Sequence, residues 1–184
     1  TAAAMRTGDR IDIVPLGLRG PVIPSVVLLA PDGTTLTGDA AQRRALTEPT
    51  HVAREFKRRL GDPLPVIVGG APHSAESLSA LVLRAVVDAV TALHGSQPGR
   101  VALTHPANWG SYKKELYAQA VRFADLPDVV FVSEPEAAAI HYASQERIDD
   151  GAVVAVYDLG GGTFDVTVLR KVGESFEVLG QPEG

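Results

Sequence analysis

The sequence predicts an α/β fold in which a mixed sheet is flanked by helices, and three observations carry that prediction. Residues 10–38 read as short strands in an antiparallel meander. Residues 78–93 repeat apolar side chains at the spacing of one helical face. From residue 101 the chain alternates strand, helix, strand, helix, strand, the rhythm of a parallel sheet with right-handed crossovers. With 184 residues, 45% of them hydrophobic, there is enough apolar surface to bury a core.

The meander is read from "RIDIV", "VIPSVVLLA" and "TTLTG", with the Asp-Gly pair of "PDGT" at residues 31–34 as a tight turn. Two helices are expected next. One covers residues 39–48 behind Asp39 as cap, and the other covers 50–61 between Thr50 and Gly61. Residues 62–72 form a Pro/Gly-rich connection holding a short strand at Val66–Val68. In the long helix that follows, Leu78, Leu81, Val82, Ala85, Val86, Ala89, Val90 and Leu93 share one face and Gly95 is the stop. That pattern requires packing and no chemistry.

The alternating part runs through "VALTH", a helix at 111–125 capped by Ser111, "VVFVS", a helix at 135–147 opening on Pro135, and "AVVAVYDL". "TFDVTVLRKV" and "SFEVLG" then form a hairpin about Gly173. Ligands of open parallel sheets sit beyond the carboxyl ends of the strands. This topology would bring His105–Asn108, Ser133–Glu134 and Asp158–Gly162 to one edge. No internal repeat of fixed period is visible.

Twenty-two acidic residues against 17 basic give a net charge of -5, and no basic block exceeds "KRR" at residues 57–59, which argues against a nucleic-acid surface. The absence of cysteine excludes disulfides, thiolate metal sites and cysteine nucleophiles. No uninterrupted apolar run approaches the roughly 18 to 20 residues of a membrane span, and the N-terminus lacks the order of a signal peptide, so a cytoplasmic protein is expected. Thirteen arginines to four lysines point to a GC-rich coding genome. The start at Thr1 and the end at "LGQPEG" lead to the expectation of a piece of something longer.

The chemistry-bearing stretch is "YDLGGGTFDV" at residues 157–166. Three glycines between strands serve either as an ordinary hairpin turn or as a cradle whose N–H groups face an anion. The flanking Asp158, Thr163 and Asp165 suit the cradle, because a hard cation such as Mg²⁺ takes oxygen ligands, keeps waters and needs one or two carboxylates. The strand-to-strand context differs from the dinucleotide glycine motif and from the lysine-containing P-loop, both of which run from strand into helix.

Glu134 in "SEPEAAAIHYA" is either a solvated acid at a helix start or, on the same sheet edge as Asp158, a carboxylate able to orient an attacking water. Lys57 in "REFKRRLG" is either part of a solvated face or a cation that stabilises charge on a phosphate, and Lys113 and Lys114 pose the same choice. The five histidines show no metal-ligand pairing on one helix face and are read as structural, and Trp109 as packing.

"YDLGGGTFDV", "SEPEAAAIHYA", "HPANW", "TGDAA" and "FKRRLG" together resemble the seventy-kilodalton heat-shock chaperone family in its actin-like ATPase domain. "IPSVV", "GDAAQRRALTEPT" and "SAESLSALVLRAV" extend the likeness along the whole chain in the family's order. The resemblance implies an actin-like, ribonuclease H-like lobe that binds ATP or ADP with Mg²⁺. By position, Asp158 and Asp165 would arrange the magnesium and its waters, and Gly160, Gly161, Gly162 and Thr163 would hold phosphates. Glu134 and Lys57 match the family's catalytic glutamate and lysine, and Pro106 its switch proline. Lys114 stands at the place of a relay arginine, so the charge persists while the fork geometry is lost.

The sequence departs from the family pattern in places. Glu136 replaces the usual threonine, His105 and Asn108 occupy positions that are usually more apolar or aromatic, and residues 61–74 are shorter than the family norm. The expected organisation is a partial nucleotide-binding lobe over residues 1–184, with a reduced upper subdomain at about 39–100 and a main-sheet subdomain from 1–38 plus 101–184. The first strand with its phosphate loop, the second lobe and a peptide-binding domain are expected to lie outside it. The resemblance then implies ATP hydrolysis driving a chaperone cycle in the full-length protein, with client polypeptides and co-chaperones as partners and the 184-residue piece inactive alone. An interaction or scaffold module that keeps the fold is the alternative, and a sugar or acetate kinase has no visible acceptor site.

Overall fold

The computed structural model describes residues 1–126, 128–159 and 164–183, which fall into two compact units. The first comprises Thr1–Gly99 and Tyr112–Asp128, and the second Arg100–Ser111 and Val129–Gly184. Residues 39–99 lie within the first unit together with residues 1–38, and Arg100 belongs to the second.

In the first unit, β1 (Ala4–Thr7) and β2 (Arg10–Ile13) form an antiparallel hairpin. β3 (Val26–Leu29) is the centre of a separate antiparallel sheet, between β4 (Thr35–Thr37) and β5 (Val52–Arg54). The meander expected over residues 10–38 is therefore interrupted: β2 pairs with β1, and β3 with β4 and β5. The Asp-Gly turn forms as read. Thr34 donates its N–H to Asp32 Oδ1 at 2.9 Å, and Gly33 takes φ +84°.

α1 (Gly38–Arg44) is shorter than the expected 39–48, and Asp39 is not its cap. The N-cap is Thr37, while the Asp39 carboxylate accepts the Leu18 N–H at 2.9 Å and ties down a loop twenty-one residues away. Beyond Arg44 the bonds tighten to the i→i+3 type, with Leu46 and Thr47 donating to the carbonyls of Arg43 and Arg44.

The helix expected at 50–61 is replaced by a 3-10 turn at Pro49–His51, then β5, then a 3-10 turn at Phe56–Arg59. The open edge of β3 captures this stretch, pairing Val27 with Ala53 and Leu28 with Val52. Glu55, at φ +54°, breaks the chain away, and Phe56 is 2% exposed. Burial and ladder bonds outweigh helical propensity here.

β6 (Val66–Val68) finds a partner the sequence did not announce, β7 (Ala71–His73). Gly69 and Gly70, at φ +59° and +83°, make the two-residue turn that needs positive φ at both central positions. α2 (Ala75–His94) starts where Ser77 donates its N–H to Ser74 Oγ at 3.1 Å and ends at Gly95, φ +83°. By length and composition α2 could cross a membrane, yet its Leu78 and Val82 are packed with Val27, Ala53, Phe56, Val66 and Val68 in the core of the unit. α3 (Ser111–Phe123) buries Tyr117 and Ala120, and Arg84 of α2 donates to the carbonyls of Ala124 and Asp125 just past its end.

In the second unit, β8 (Val101–His105) and β9 (Val129–Ser133) pair in parallel. α4 (Glu134–Gln145) begins directly after β9, with Ser133 Oγ accepting the Glu136 N–H and Pro135 in the first turn. β10 (Val153–Leu159), β11 (Phe164–Val172) and β12 (Ser175–Glu183) form an antiparallel sheet. Leu169 and Phe176 pack against Ala139 of α4.

The single mixed sheet expected from the alternation is divided: among the described residues β10 pairs with β11 and does not extend the β8–β9 ladder. Only residues 160–163 separate β10 from β11, so their antiparallel closure costs little chain entropy compared with a parallel crossover.

Candidate functional site

The register of β10 and β11 builds one wall of a cleft in the second unit. Asp158 lies opposite Asp165, and Val156 lies opposite Thr167. Because side chains alternate along a strand, these four share one face of the ladder, and all four line the cleft. The other walls come from the ends of the parallel strands. β8 runs into Pro106, Ala107 and Asn108, and β9 runs into Glu134 and Pro135, and these residues line the same cleft.

Asp158 is exposed, Glu134 and Asp165 are half-buried, and Thr167 is 5% exposed. Three carboxylates, a hydroxyl and a carboxamide thus surround one small space. Such an oxygen-rich donor set matches a hard cation and not a soft one. Among the described residues no three His, Cys, Asp or Glu side chains stand close enough to chelate an ion. A hard cation that keeps several waters and needs only one or two carboxylates, such as Mg²⁺, is compatible with these side chains.

The structure brings Pro106, Glu134, Asp158 and Asp165 together. Lys57 and Lys114 belong to the first unit. Lys57 is half-buried in the 3-10 turn at Phe56–Arg59 and not in the helix expected at 50–61. The Thr1 amino group is held below its ordinary pKa, first by burial and then by the charge of Lys57. Lys114 is exposed on α3. Gly160, Gly161, Gly162 and Thr163 lie outside the described residues.

Thr167 is the cleft residue that sequence reading passed over. Its signal was its place two residues after Asp165 on an alternating strand, which puts both on one face. Asn108, expected at this edge and noted as a departure from the family pattern, is the other polar member of the lining.

The family model described as Hsp70 protein matches residues 64–181. The chaperone protein DnaK of Elusimicrobium minutum is 34% identical over 184 residues, covering 97% of this chain and 30% of that protein. Its counterpart in Methanothermobacter thermautotrophicus is 32% identical over 182 residues, with the same shares, and that of Cenarchaeum symbiosum is 31% identical over 183 residues, covering 97% of this chain and 28% of that protein. The chain spans about 30% of the length of the curated relatives it matches. With the family model covering well over half of its residues, the chain belongs to the Hsp70 family.

Proposed function

We propose that this chain is part of an actin-like nucleotide-binding lobe whose full-length protein binds ATP and ADP with Mg²⁺ and hydrolyses ATP to drive a chaperone-type conformational cycle. The observation that carries the reading is the pair Asp158 and Asp165, opposed across one ladder and sharing a cleft with Glu134. On this reading residues 39–100 form a reduced upper subdomain, and 1–38 with 101–184 form the main-sheet part. Client polypeptides and co-chaperones are partners of the full-length protein, which acts in the cytoplasm.

Bound Mg²⁺ supplies charge neutralisation on the phosphates. Asp158 and Asp165, on adjacent strands that fix their separation, would hold it through its waters. The Glu134 carboxylate orients the attacking water in line with the terminal phosphorus. Gly160, Gly161, Gly162 and Thr163 would bind the phosphates, as the family resemblance implies. Lys57 stabilises the charge that builds up during transfer. Pro106 and Lys114 relay nucleotide state to the rest of the protein.

The test is Mg²⁺-dependent ATP turnover by the full-length protein, alongside Asp158→Ala and Lys57→Ala. Loss of turnover in both variants supports the reading, and unchanged rates refute the mechanism. ATP binding by the wild type without turnover would favour the interaction module instead. The 184-residue chain alone should bind ATP weakly in a calorimetric titration, and sub-micromolar binding would show that it carries a complete clamp.

A further inference from the structure

The cleft wall formed by Pro106, Ala107 and Asn108 is held from behind by a histidine. His105, the last residue of β8, is 5% exposed, and its Nδ1 lies 2.8 Å from the Pro106 carbonyl oxygen. A carbonyl can only accept, so Nδ1 carries the proton. The Trp109 backbone N–H donates to the same oxygen at 3.2 Å. The His105 ring stacks on the Trp109 ring, with centroids 6.0 Å apart and planes 9° from parallel, and Trp109 is itself 7% exposed.

One carbonyl oxygen is thus gripped by two donors from two buried rings' residues. The consequence is orientational. A peptide unit is planar and, in its trans form, directs its N–H opposite to its carbonyl. Fixing the Pro106 carbonyl therefore fixes the Ala107 N–H, directed away from the clamp, and the course of the chain into Asn108, which lines the cleft with Glu134 and Asp158.

We infer that His105 is a positioning residue: through its Nδ1–H bond to the Pro106 carbonyl and its stack on Trp109, it sets the Pro106–Asn108 wall of the cleft for the reaction at Glu134 and Asp158. The inference rests on the nucleotide-hydrolysis reading above. Preorganised walls matter to phosphoryl transfer because catalysis there is almost wholly positioning and electrostatics. A purely structural histidine would lower stability without caring which ring nitrogen its replacement imitates.

The test compares two amides in the full-length protein. The amide nitrogen of His105→Asn falls near the position of Nδ1, whereas that of His105→Gln falls near Nε2. Loss of the clamp bond in His105→Gln should lower kcat for ATP about tenfold with KM within about twofold, and His105→Asn should stay within about threefold of wild type. Trp109, the single tryptophan of the chain, reports the clamp directly: its 5-fluorotryptophan ¹⁹F resonance, assigned by Trp109→Phe, should move in His105→Gln and return in His105→Asn. Equal rates in wild type and His105→Gln, equal loss in both variants, or a change in KM alone overturns the inference while the parent reading stands. A wild type that neither binds nor hydrolyses ATP overturns both, and is told apart by that absence of binding.

Discussion

Asp158 and Asp165 face each other directly across the β10–β11 ladder, two carboxylates at one rung with Val156 and Thr167 on the next rung of the same face. Like charges directly opposite destabilise an antiparallel pair. The placement is therefore costly to the fold, and on the proposed reading a bound cation would offset that cost.

It follows that Asp158→Asn separates stability from activity. In metal-free buffer the substitution should raise the unfolding free energy by about 0.2–1 kcal/mol, measured by urea titration. In the full-length protein it should lower Mg²⁺-dependent turnover by about a hundredfold or more. A destabilised variant with normal turnover would contradict both halves.

Each unit has a side chain that is wholly enclosed. Leu78 of α2 and Leu169 of β11 are both 0% exposed. Leu78→Ala and Leu169→Ala should each cost about 2–5 kcal/mol in denaturant unfolding, the larger value belonging to whichever site relaxes less around the cavity.

The Gly69–Gly70 turn predicts unequal costs for the same substitution. Both glycines have positive φ, so alanine is strained at either position by roughly 1–2 kcal/mol. A Cβ at Gly70 meets nothing within 4 Å, whereas one at Gly69 would lie 2.7 Å from Cδ2 of His51. Gly69→Ala should thus be the more destabilising, and adding His51→Ala should bring it close to Gly70→Ala in thermal unfolding.

Acid stability has an identifiable local source at residue 62. The Leu64 N–H and, after it, Arg59 hold the Asp62 carboxyl below the usual carboxylate range. Because its folded pKa is depressed, the stability this group contributes is present above the unfolded pKa and is lost as pH falls through the folded one. Asp32, held down chiefly by the Thr34 N–H, behaves alike. The double variant Asp32→Asn, Asp62→Asn should flatten the stability profile below the ordinary carboxylate range and leave its shape near neutrality unchanged.

What could be read from sequence was what local rules govern. α2 follows from its apolar period and from Gly95, and the Asp32–Gly33 turn and the Gly173 hairpin follow from turn chemistry. The strand–helix–strand rhythm led Pro106, Glu134 and Asp158 to be placed at one edge, and they line one cleft. The route differs, since β10 reaches the cleft through an antiparallel hairpin and not as a further parallel strand. Failures lie where distant partners decide. Residues 52–54 are a strand because β3 offers an edge, and Asp39 leaves its expected capping role because Leu18 offers an N–H. β1, within "TAAAMRT", has no β-branched run to announce it and exists through β2.

The parallel pair β8 and β9 carries a consequence for handling the molecule. Among the described residues each strand has only the other as its strand partner, and Val130 and Phe131 remain 39% and 37% exposed on β9. An open strand border is a template for any extended chain that meets it. Concentrated stocks of the 184-residue chain should therefore scatter more light with time than dilute ones.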